Sequence, residues 1–222
     1  FITTSIALLV LIGTAHVGVC QKIVIGARDE LHLSTGYNFP MGPKDVGDES
    51  SLLTNMKSKP SVEIRYMTSL FRNLYVGGWA SFARFKDWDG PSSSLYDGTS
   101  MSFLSVGPSV MYKSGSPGNA IDKLSFCISL SPGISRINVD TSTDSEINGY
   151  PDTNPLTVES VRFTLGTHAG INYIFTNSIG GTLLLGYQYT AADSQIFPDK
   201  NYSWLSVRAG VFYRLFNDKK YK

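Results

Sequence analysis

Residues 205–215 read Leu-Ser-Val-Arg-Ala-Gly-Val-Phe-Tyr-Arg-Leu, and this stretch decides the fold. Every second residue from Leu205 to Leu215 is uncharged and mostly apolar, whereas the positions between them include Arg208 and Arg214. Alternation with a period of two is the pattern of a β-strand that has one apolar and one polar face. The stretch therefore predicts a strand whose two faces meet different surroundings.

The same alternation recurs along the chain in runs that are bounded by turn-forming residues. Eight strands are predicted, at residues 30–39, 61–71, 74–85, 101–113, 123–136, 159–175, 182–191 and 202–216. The connections alternate between long and short: residues 40–60, 86–100, 137–158 and 192–201 form long loops, and residues 72–73, 114–122 and 176–181 form short turns. This rhythm predicts an all-β protein of antiparallel hairpins with four long loops at one end and three short turns at the other.

The two faces of these strands differ in charge. The apolar face carries no charge and includes Val62, Ile64, Tyr66, Leu104, Val106, Phe126, Ile128, Phe163, Leu165 and Val207, while the opposite face includes Glu63, Arg65, Arg162, His168, Arg208 and Arg214. A water-soluble barrel turns its apolar face inward, but eight strands enclose too little space for so many large side chains. The reverse arrangement places the apolar face in lipid, and closure of the sheet pairs every backbone group. We therefore expect a closed antiparallel eight-stranded up-and-down transmembrane β-barrel, with a soluble lipocalin-like barrel as the alternative.

Composition excludes several other classes. The 222 residues carry a formal net charge of +1, which gives no support for a nucleic-acid partner. The hydrophobic fraction of 42% is too low for a helical membrane protein. No phosphate-binding loop, dinucleotide fingerprint or Cys/His metal spacing is found, so we expect no cofactor and no metal.

The first residues predict export. Residues 6–12 form a short apolar run, and the small residues Gly18 and Cys20 precede Gln21. This is the pattern of a secretory signal peptide, here residues 1–20, whose charged front is missing, and residues 21–222 then form the barrel domain. Two alternatives stay open: a buried or membrane-anchoring helix, and a lipidated Cys20.

The last strand carries a short motif. Arg208, Gly210, Tyr213 and Leu215 resemble the C-terminal signal of bacterial outer-membrane barrels, although residues 217–222 follow where that family often ends at an aromatic residue. With the strand count and loop rhythm, residues 21–222 resemble the small eight-stranded outer-membrane barrels of the OmpA-transmembrane-domain and OmpX type. The resemblance implies a monomer in the bacterial outer membrane, surrounded by lipid and lipopolysaccharide and assembled by the barrel-assembly machinery.

The interior and the strand ends give further expectations. We expect Glu63, Arg65, Arg162, His168, Arg208 and Arg214 to form a polar network that fills the lumen, with Glu63 near Arg65, Arg162 near Arg208 and Glu30 near Arg214. Two interfacial aromatic girdles are expected near the strand ends, one of them including Tyr37, Phe39, Phe82 and Phe85. Pro108 and Pro132 predict a bulge or a shortened ladder, because proline donates no ladder hydrogen bond.

No catalytic residue is assigned. His32 and His168 share the inward face with several serines, which we interpret as hydrogen bonding in the lumen. We expect a non-enzymatic protein that binds through its long loops, with the loop aromatics Trp88, Tyr96, Tyr150 and Phe197 as contacts. The acidic long loops either hold divalent cations beside lipopolysaccharide phosphates or form a solvated surface. The alternatives are a barrel enzyme acting on lipid or peptide, and a narrow channel or accessory of a secretion or assembly system.

Overall fold

The structure, a computed structural model, describes residues 28–41, 56–71, 73–88, 100–114, 123–141, 156–176, 178–191 and 201–216 of the 222-residue chain. These residues form strands β1 (Arg28–Met41), β2 (Met56–Ser58), β3 (Ser61–Ser69), β4 (Leu74–Trp88), β5 (Ser100–Lys113), β6 (Leu124–Thr141), β7 (Leu156–Ile174), β8 (Ile179–Thr190) and β9 (Tyr202–Phe216). Within these ranges no helix is long and apolar enough to span a membrane.

The strands close into a ring. Each strand from β3 to β8 pairs antiparallel with the next, and β1 pairs with both β3 and β9. The three-residue β2 pairs with β4 beyond the end of β3, so it continues the β3 position towards the loops. The wall is thus a closed antiparallel eight-stranded up-and-down β-barrel, and the predicted fold class is confirmed.

The two ends of the barrel differ as the sequence predicted. Residues 42–55, 89–99, 142–155 and 191–201 connect strands at one end, here called the loop end, and shorter segments connect them at the other, the turn end. Two of these turns are tight: Leu70 and Phe71 donate to the Leu74 carbonyl at 2.9 and 3.2 Å, and Phe175 donates to the Ile179 carbonyl at 3.0 Å. The predicted long loops were too long at β2, β4 and β6, where strand structure extends into them.

The prolines shorten a ladder without shifting its register. Pairing of β5 with β6 stops after Val106–Ile134 and resumes at Val110–Leu130 in the same alignment. Pro108 and Pro132 face each other in this gap, and neither has an N–H group to donate. Side chains bridge it instead: the Ser109 and Ser131 hydroxyls hydrogen-bond at 2.8 Å, and Trp79 Nε1 donates to the Pro132 carbonyl at 3.3 Å. Of the two expected outcomes, the shortened ladder is found and the bulge is not.

The predicted inversion of the two faces is present. Phe126 and Leu185 are each 64% exposed on the outer wall, while Glu63 and Arg208 are each 1% exposed inside. Between the two ends, the outward side chains that the structure describes are uncharged. In the same ranges, outward charges stand near strand ends, at Asp29, Lys57, Lys59, Arg84, Lys86, Lys123, Arg136, Asp140 and Glu159. The outer wall therefore carries an apolar belt.

At the loop end the interior is apolar. Nine buried side chains form a cluster, here called the apolar plug, made of Met56, Ala83, Phe85, Met101, Phe103, Ile137, Val139, Tyr202 and Trp204. The expectation that Phe85 belongs to an outward girdle with Phe82 was wrong. The two residues are three positions apart and so lie on opposite faces of β4; Phe82 is 44% exposed, and Phe85 is fully buried in the plug.

Candidate functional site: the barrel interior

A cluster of charged side chains occupies the middle of the lumen. Arg65 Nε donates to Glu63 Oε1 at 2.6 Å, and Arg208 donates to the other oxygen of the same carboxylate. Across the lumen, Arg65 also donates to Ser129 Oγ at 2.6 Å, and its second terminal nitrogen lies 2.6 Å from His168 Nδ1. These five residues, Glu63, Arg65, Ser129, His168 and Arg208, are called the central cluster.

Strand parity and register explain how these residues meet. Glu63 and Arg65 are two positions apart on β3, so both point inward. Ser129 of β6 is the direct register partner of His168 of β7. Gly186 of β8 pairs with His168 on its other side, and a Cβ at Gly186 would collide with the imidazole ring. The glycine therefore makes the space that the His168 ring occupies.

A second charged cluster lies nearer the turn end. Glu30 accepts hydrogen bonds from Lys113 and from Arg214 Nε, the latter at 3.2 Å, and lies 3.0 Å from His32 Nε2. The Phe212 ring stacks on His32 with centroids 5.2 Å apart, and the Lys113 ammonium lies 5.1 Å from the centroid of the same ring. Glu30, His32, Lys113, Phe212 and Arg214 are called the turn-end cluster.

Both clusters contain more cations than carboxylates. In each, one glutamate faces two basic side chains, and every one of these six charged side chains is at most 9% exposed. Ions this deeply buried are tolerated only when hydrogen bonds and opposite charges replace water. The two carboxylates, Glu30 and Glu63, are therefore the groups on which the rest of each cluster depends.

Not all predicted network residues come together. Glu63, Arg65, His168 and Arg208 meet in the central cluster, and Arg214 joins Glu30 in the turn-end cluster. Arg162 and Arg208 are not neighbours in register: Arg208 aligns with Leu184, and Leu184 aligns with Gly170 of β7 rather than with Arg162. The sequence analysis did not include Lys113 in the network, although it shares the inward parity of Ser109 and Met111.

Residues of the other two predicted sites are placed as follows. Tyr213 and Leu215 point outward on β9, and Arg208 points inward from the same strand, which closes the barrel against β1. Gly210 fits where β1 approaches closely, because a Cβ there would meet the Leu33 carbonyl. Trp88, predicted in a loop, is the last residue of β4. Tyr96, Tyr150, Phe197 and the predicted signal peptide, residues 1–20, lie outside the described residues.

The interior has the character of a packed network. Among the described residues, neither His32 nor His168 hydrogen-bonds to a serine hydroxyl. His32 contacts Glu30 instead, and His168 contacts Arg65 and Glu63. No group of three metal-ligating side chains is found in the same part of the chain. A nucleophile needs a base within hydrogen-bond reach, and these contacts do not provide one.

Aromatic rings close the lumen at the loop end. Within the plug, the Phe85 ring meets Phe103 edge-on with centroids 5.8 Å apart, and the Trp204 ring lies 5.5 Å from Phe85 and 4.9 Å from Phe103. Edge-on and tilted contacts at these distances are favourable and fill space well. A solute in the lumen would have to displace this plug to reach the loop end.

Similar folds are found among solved structures. Neisserial surface protein A superposes with a TM-score of 0.54 at 16% identity over 85% of this chain and 97% of that one. A major outer membrane protein from Thermus thermophilus gives 0.52 at 12% identity, over 85% and 99%. The N-terminal β-barrel domain of Pseudomonas aeruginosa OprF gives 0.46 at 14%, over 86% and 99%.

Sequence comparison adds no family. No family model matches the chain, and no curated protein matches it. Neisserial surface protein A and the Thermus thermophilus protein superpose with TM-scores above 0.5, each over about 85% of this chain and nearly all of its own length. The chain therefore has the fold of the small eight-stranded outer-membrane β-barrels.

Proposed function

We propose that this protein is a non-enzymatic, monomeric barrel of the bacterial outer membrane, whose wall is a scaffold for four surface loops. The observation that carries the proposal is the belt of exposed apolar side chains around a charged interior. Leu33 of β1, Ile128 of β6 and Leu185 of β8 are 51%, 59% and 64% exposed, respectively, so the belt runs around the wall instead of forming one patch.

Energetics favour lipid as the surroundings of this belt. Monomeric soluble proteins rarely expose contiguous apolar patches larger than a few hundred Å². Each square ångström of apolar surface removed from water contributes about 25 cal/mol, so a whole belt gains a large stabilisation by entering hydrocarbon. Hydrocarbon also requires that every backbone group be paired within the protein, and a closed ring of strands meets that requirement almost everywhere.

A scaffold role agrees with the packed interior. The apolar plug and the two charged clusters occupy successive depths of the lumen, which argues against free passage of solutes. The histidines are held by Glu30, Glu63 and Arg65, which argues against a serine–histidine hydrolase. The loops are then the part of the chain that binds, and Trp88, Tyr96, Tyr150 and Phe197 are the proposed contacts.

The proposal includes a route to the membrane. Residues 1–20 would act as the export signal, and Arg208, Gly210, Tyr213 and Leu215 on the closing strand would be read by the barrel-assembly machinery. Tyr213 and Leu215 are 48% and 42% exposed and so available on the outer wall. Two solved barrels that superpose with TM-scores above 0.5 are named as a surface protein and an outer membrane protein, which supports the same location.

Membrane fractionation combined with gel mobility tests the proposal. The protein, expressed with its leader in a Gram-negative host, should remain in the outer-membrane fraction after a carbonate wash. It should also give a β-rich circular dichroism spectrum and migrate differently before and after boiling. Recovery as a folded protein in the soluble periplasm would contradict the proposal.

A further inference from the structure

The outer wall at the loop end has a polar trough across β4, β5 and β6. Arg84 of β4 aligns with Ser102 of β5, which aligns with Asn138 of β6. One row further towards the loops, Lys86 aligns with Ser100. Arg136 of β6 is the register partner of Leu104, one outward row nearer the turn end than Ser102, and the side chains of Arg84, Lys86 and Arg136 are exposed. Ser100 itself is buried, and we call Arg84, Lys86, Ser102 and Arg136 the basic groove.

The rest of the loop-end wall is different. On the other side of the barrel, the corresponding outward positions of β1, β8 and β9 carry Tyr37, Phe39, Tyr187 and Leu205, each at least 38% exposed. These are the aromatic and aliphatic residues typical of a membrane interface. Cations and small hydroxyl residues take their place over β4 to β6, so the groove breaks the interfacial girdle on one side.

The depth of the groove matches a layer of lipid headgroups. Phe82 and Leu104 share the register row of Arg136, and Ile134 lies one outward row nearer the turn end. These three side chains are 44%, 52% and 52% exposed and belong to the apolar belt. On its loop-end side the strands continue to residues 88 and 141. The groove therefore begins where the apolar belt ends, which is the level of phosphate groups in a bilayer.

The charges of the groove favour an anion. Lys57 of β2 is the direct register partner of Lys86, so a fourth cation stands beside the groove. Two carboxylates lie on the β6–β7 side: Glu159 accepts from Arg136 at 2.5 Å, and Asp140 aligns with Ser100. Among the described residues, the four cations Lys57, Arg84, Lys86 and Arg136 outnumber these two acids. Strands lie about 4.8 Å apart, so β4 and β6 are separated by roughly 10 Å, which admits a phosphate between them.

We propose that the basic groove binds the phosphorylated headgroup of a glycolipid in the leaflet that faces the loops. This inference rests on the proposed function, because it requires the barrel to stand in an outer membrane with its loops outward. Arg84 and Arg136 offer planar guanidinium groups suited to phosphate oxygens, Lys86 adds a point charge, and the small Ser102 leaves room for the headgroup. The acyl chains then lie along the belt at Phe82 and Leu104.

Lipid binding to the purified full-length barrel in detergent tests this assignment. The probes are bisphosphorylated lipid A, the same lipid A with its phosphates removed, and orthophosphate alone, each followed by native mass spectrometry. The double variant Arg84→Gln/Lys86→Gln removes two cations of the groove, and Lys123→Gln removes an exposed cation at the turn end as the matched control. We expect bisphosphorylated lipid A to bind the double variant about tenfold more weakly or worse, and the control unchanged.

The outcomes are separable. Equal binding of phosphorylated and dephosphorylated lipid A, or an unaffected double variant, would mean that the groove is only a solvated wall. Full competition by orthophosphate with no preference for lipid would assign a free-anion site and overturn the lipid assignment. Gel mobility of every variant shows whether the barrel is folded, and a protein that never enters the outer membrane would refute the proposed function instead of the groove.

Discussion

The middle of the barrel and its loop end differ in which face of the strands is apolar. In the middle, β3 turns Glu63 and Arg65 inward and Ile64 outward. At the loop end, β5 turns Met101 and Phe103 inward and Ser102 outward. Strand parity is the same at both depths, but the chemistry of the two faces is exchanged. On β4, β5 and β6 the apolar residues therefore face outward in the apolar belt and inward at the loop end. Below the plug, the interior also holds a second, smaller buried apolar cluster of Met67, Tyr75, Met111, Cys127 and Leu184.

This exchange shows where the apolar belt ends on one side of the barrel. On β4, β5 and β6 the outward residues become polar at Arg84, Ser102 and Arg136. Beyond this level the outer wall is polar, and the interior packs like an ordinary apolar core. Below it, the outer wall is apolar, and the interior contains both charged clusters. The four predictions below test this difference, from the largest expected effect to the smallest.

Reversing the charge at Glu63, the carboxylate of the central cluster, should abolish folding. Glu63→Lys would place three cations together in the lumen with no anion among the residues that contact Glu63. Removing one partner of a buried ion pair already costs about 3–5 kcal/mol, and a like charge adds repulsion. The variant should therefore give no folded, heat-modifiable band. Glu159→Lys, at an exposed pair whose acid is 49% exposed, is the control and should fold. A folded Glu63→Lys protein would contradict the central cluster.

Removing the largest ring of the plug should destabilise the barrel strongly. Trp204 is fully buried between Phe85 and Phe103, and truncation of a buried tryptophan costs about 3–5 kcal/mol. Urea unfolding of Trp204→Ala in lipid vesicles, followed by tryptophan fluorescence of the remaining indoles, measures the loss. The neighbouring Leu205→Ala, on the outer wall, serves as the control. Equal losses for both variants would mean that the plug is not a packed core.

Arginines placed at two depths of one strand should locate the edge of the belt. Val106→Arg, within the apolar belt of β5, should lower the free energy of unfolding by about 2–4 kcal/mol, because the charge enters hydrocarbon. Ser102→Arg, four positions towards the loop end, should cost about 0–1 kcal/mol. Vesicle unfolding of both variants makes the comparison. Similar losses of unfolding free energy for the two variants would mean that the edge of the apolar belt does not lie between Ser102 and Val106.

Removing one cation of the turn-end cluster should have the smallest effect. Lys113→Met leaves Glu30 with Arg214 and His32 as partners, so the carboxylate is not orphaned. Loss of one hydrogen bond to a charged group is worth about 1.5–3 kcal/mol, and the lower half of that range is expected here. The same unfolding assay measures it. Glu30→Gln, which leaves Lys113 and Arg214 without an anion, should lower the free energy of unfolding by more than Lys113→Met does. A smaller loss for Glu30→Gln would contradict the conclusion that the turn-end cluster depends on its one carboxylate.

The sequence predicted whether most strand side chains face inward or outward, but it did not predict which inward side chains contact each other. Alternation along one strand placed Glu63, Arg65, His168 and Arg208 inside. Depth and register remained undetermined, because a single strand does not reveal its alignment with strands two places away. For this reason Arg162 was expected beside Arg208. Phe85 was assigned from its place near a strand end, although its parity with Ala83, opposite to that of Phe82, would have placed it inside.

The gap between β5 and β6 has a mechanical consequence. From Gly107 to Ser109 the wall has no cross-strand pairing with β6, and the hydroxyls of Ser109 and Ser131 and the indole of Trp79 join the two edges. Movement of β5 against β6 over these three residues breaks no ladder hydrogen bond, whereas the same movement at a paired stretch of the two strands does. The wall should therefore bend more readily at this short gap than along the paired stretches on either side of it.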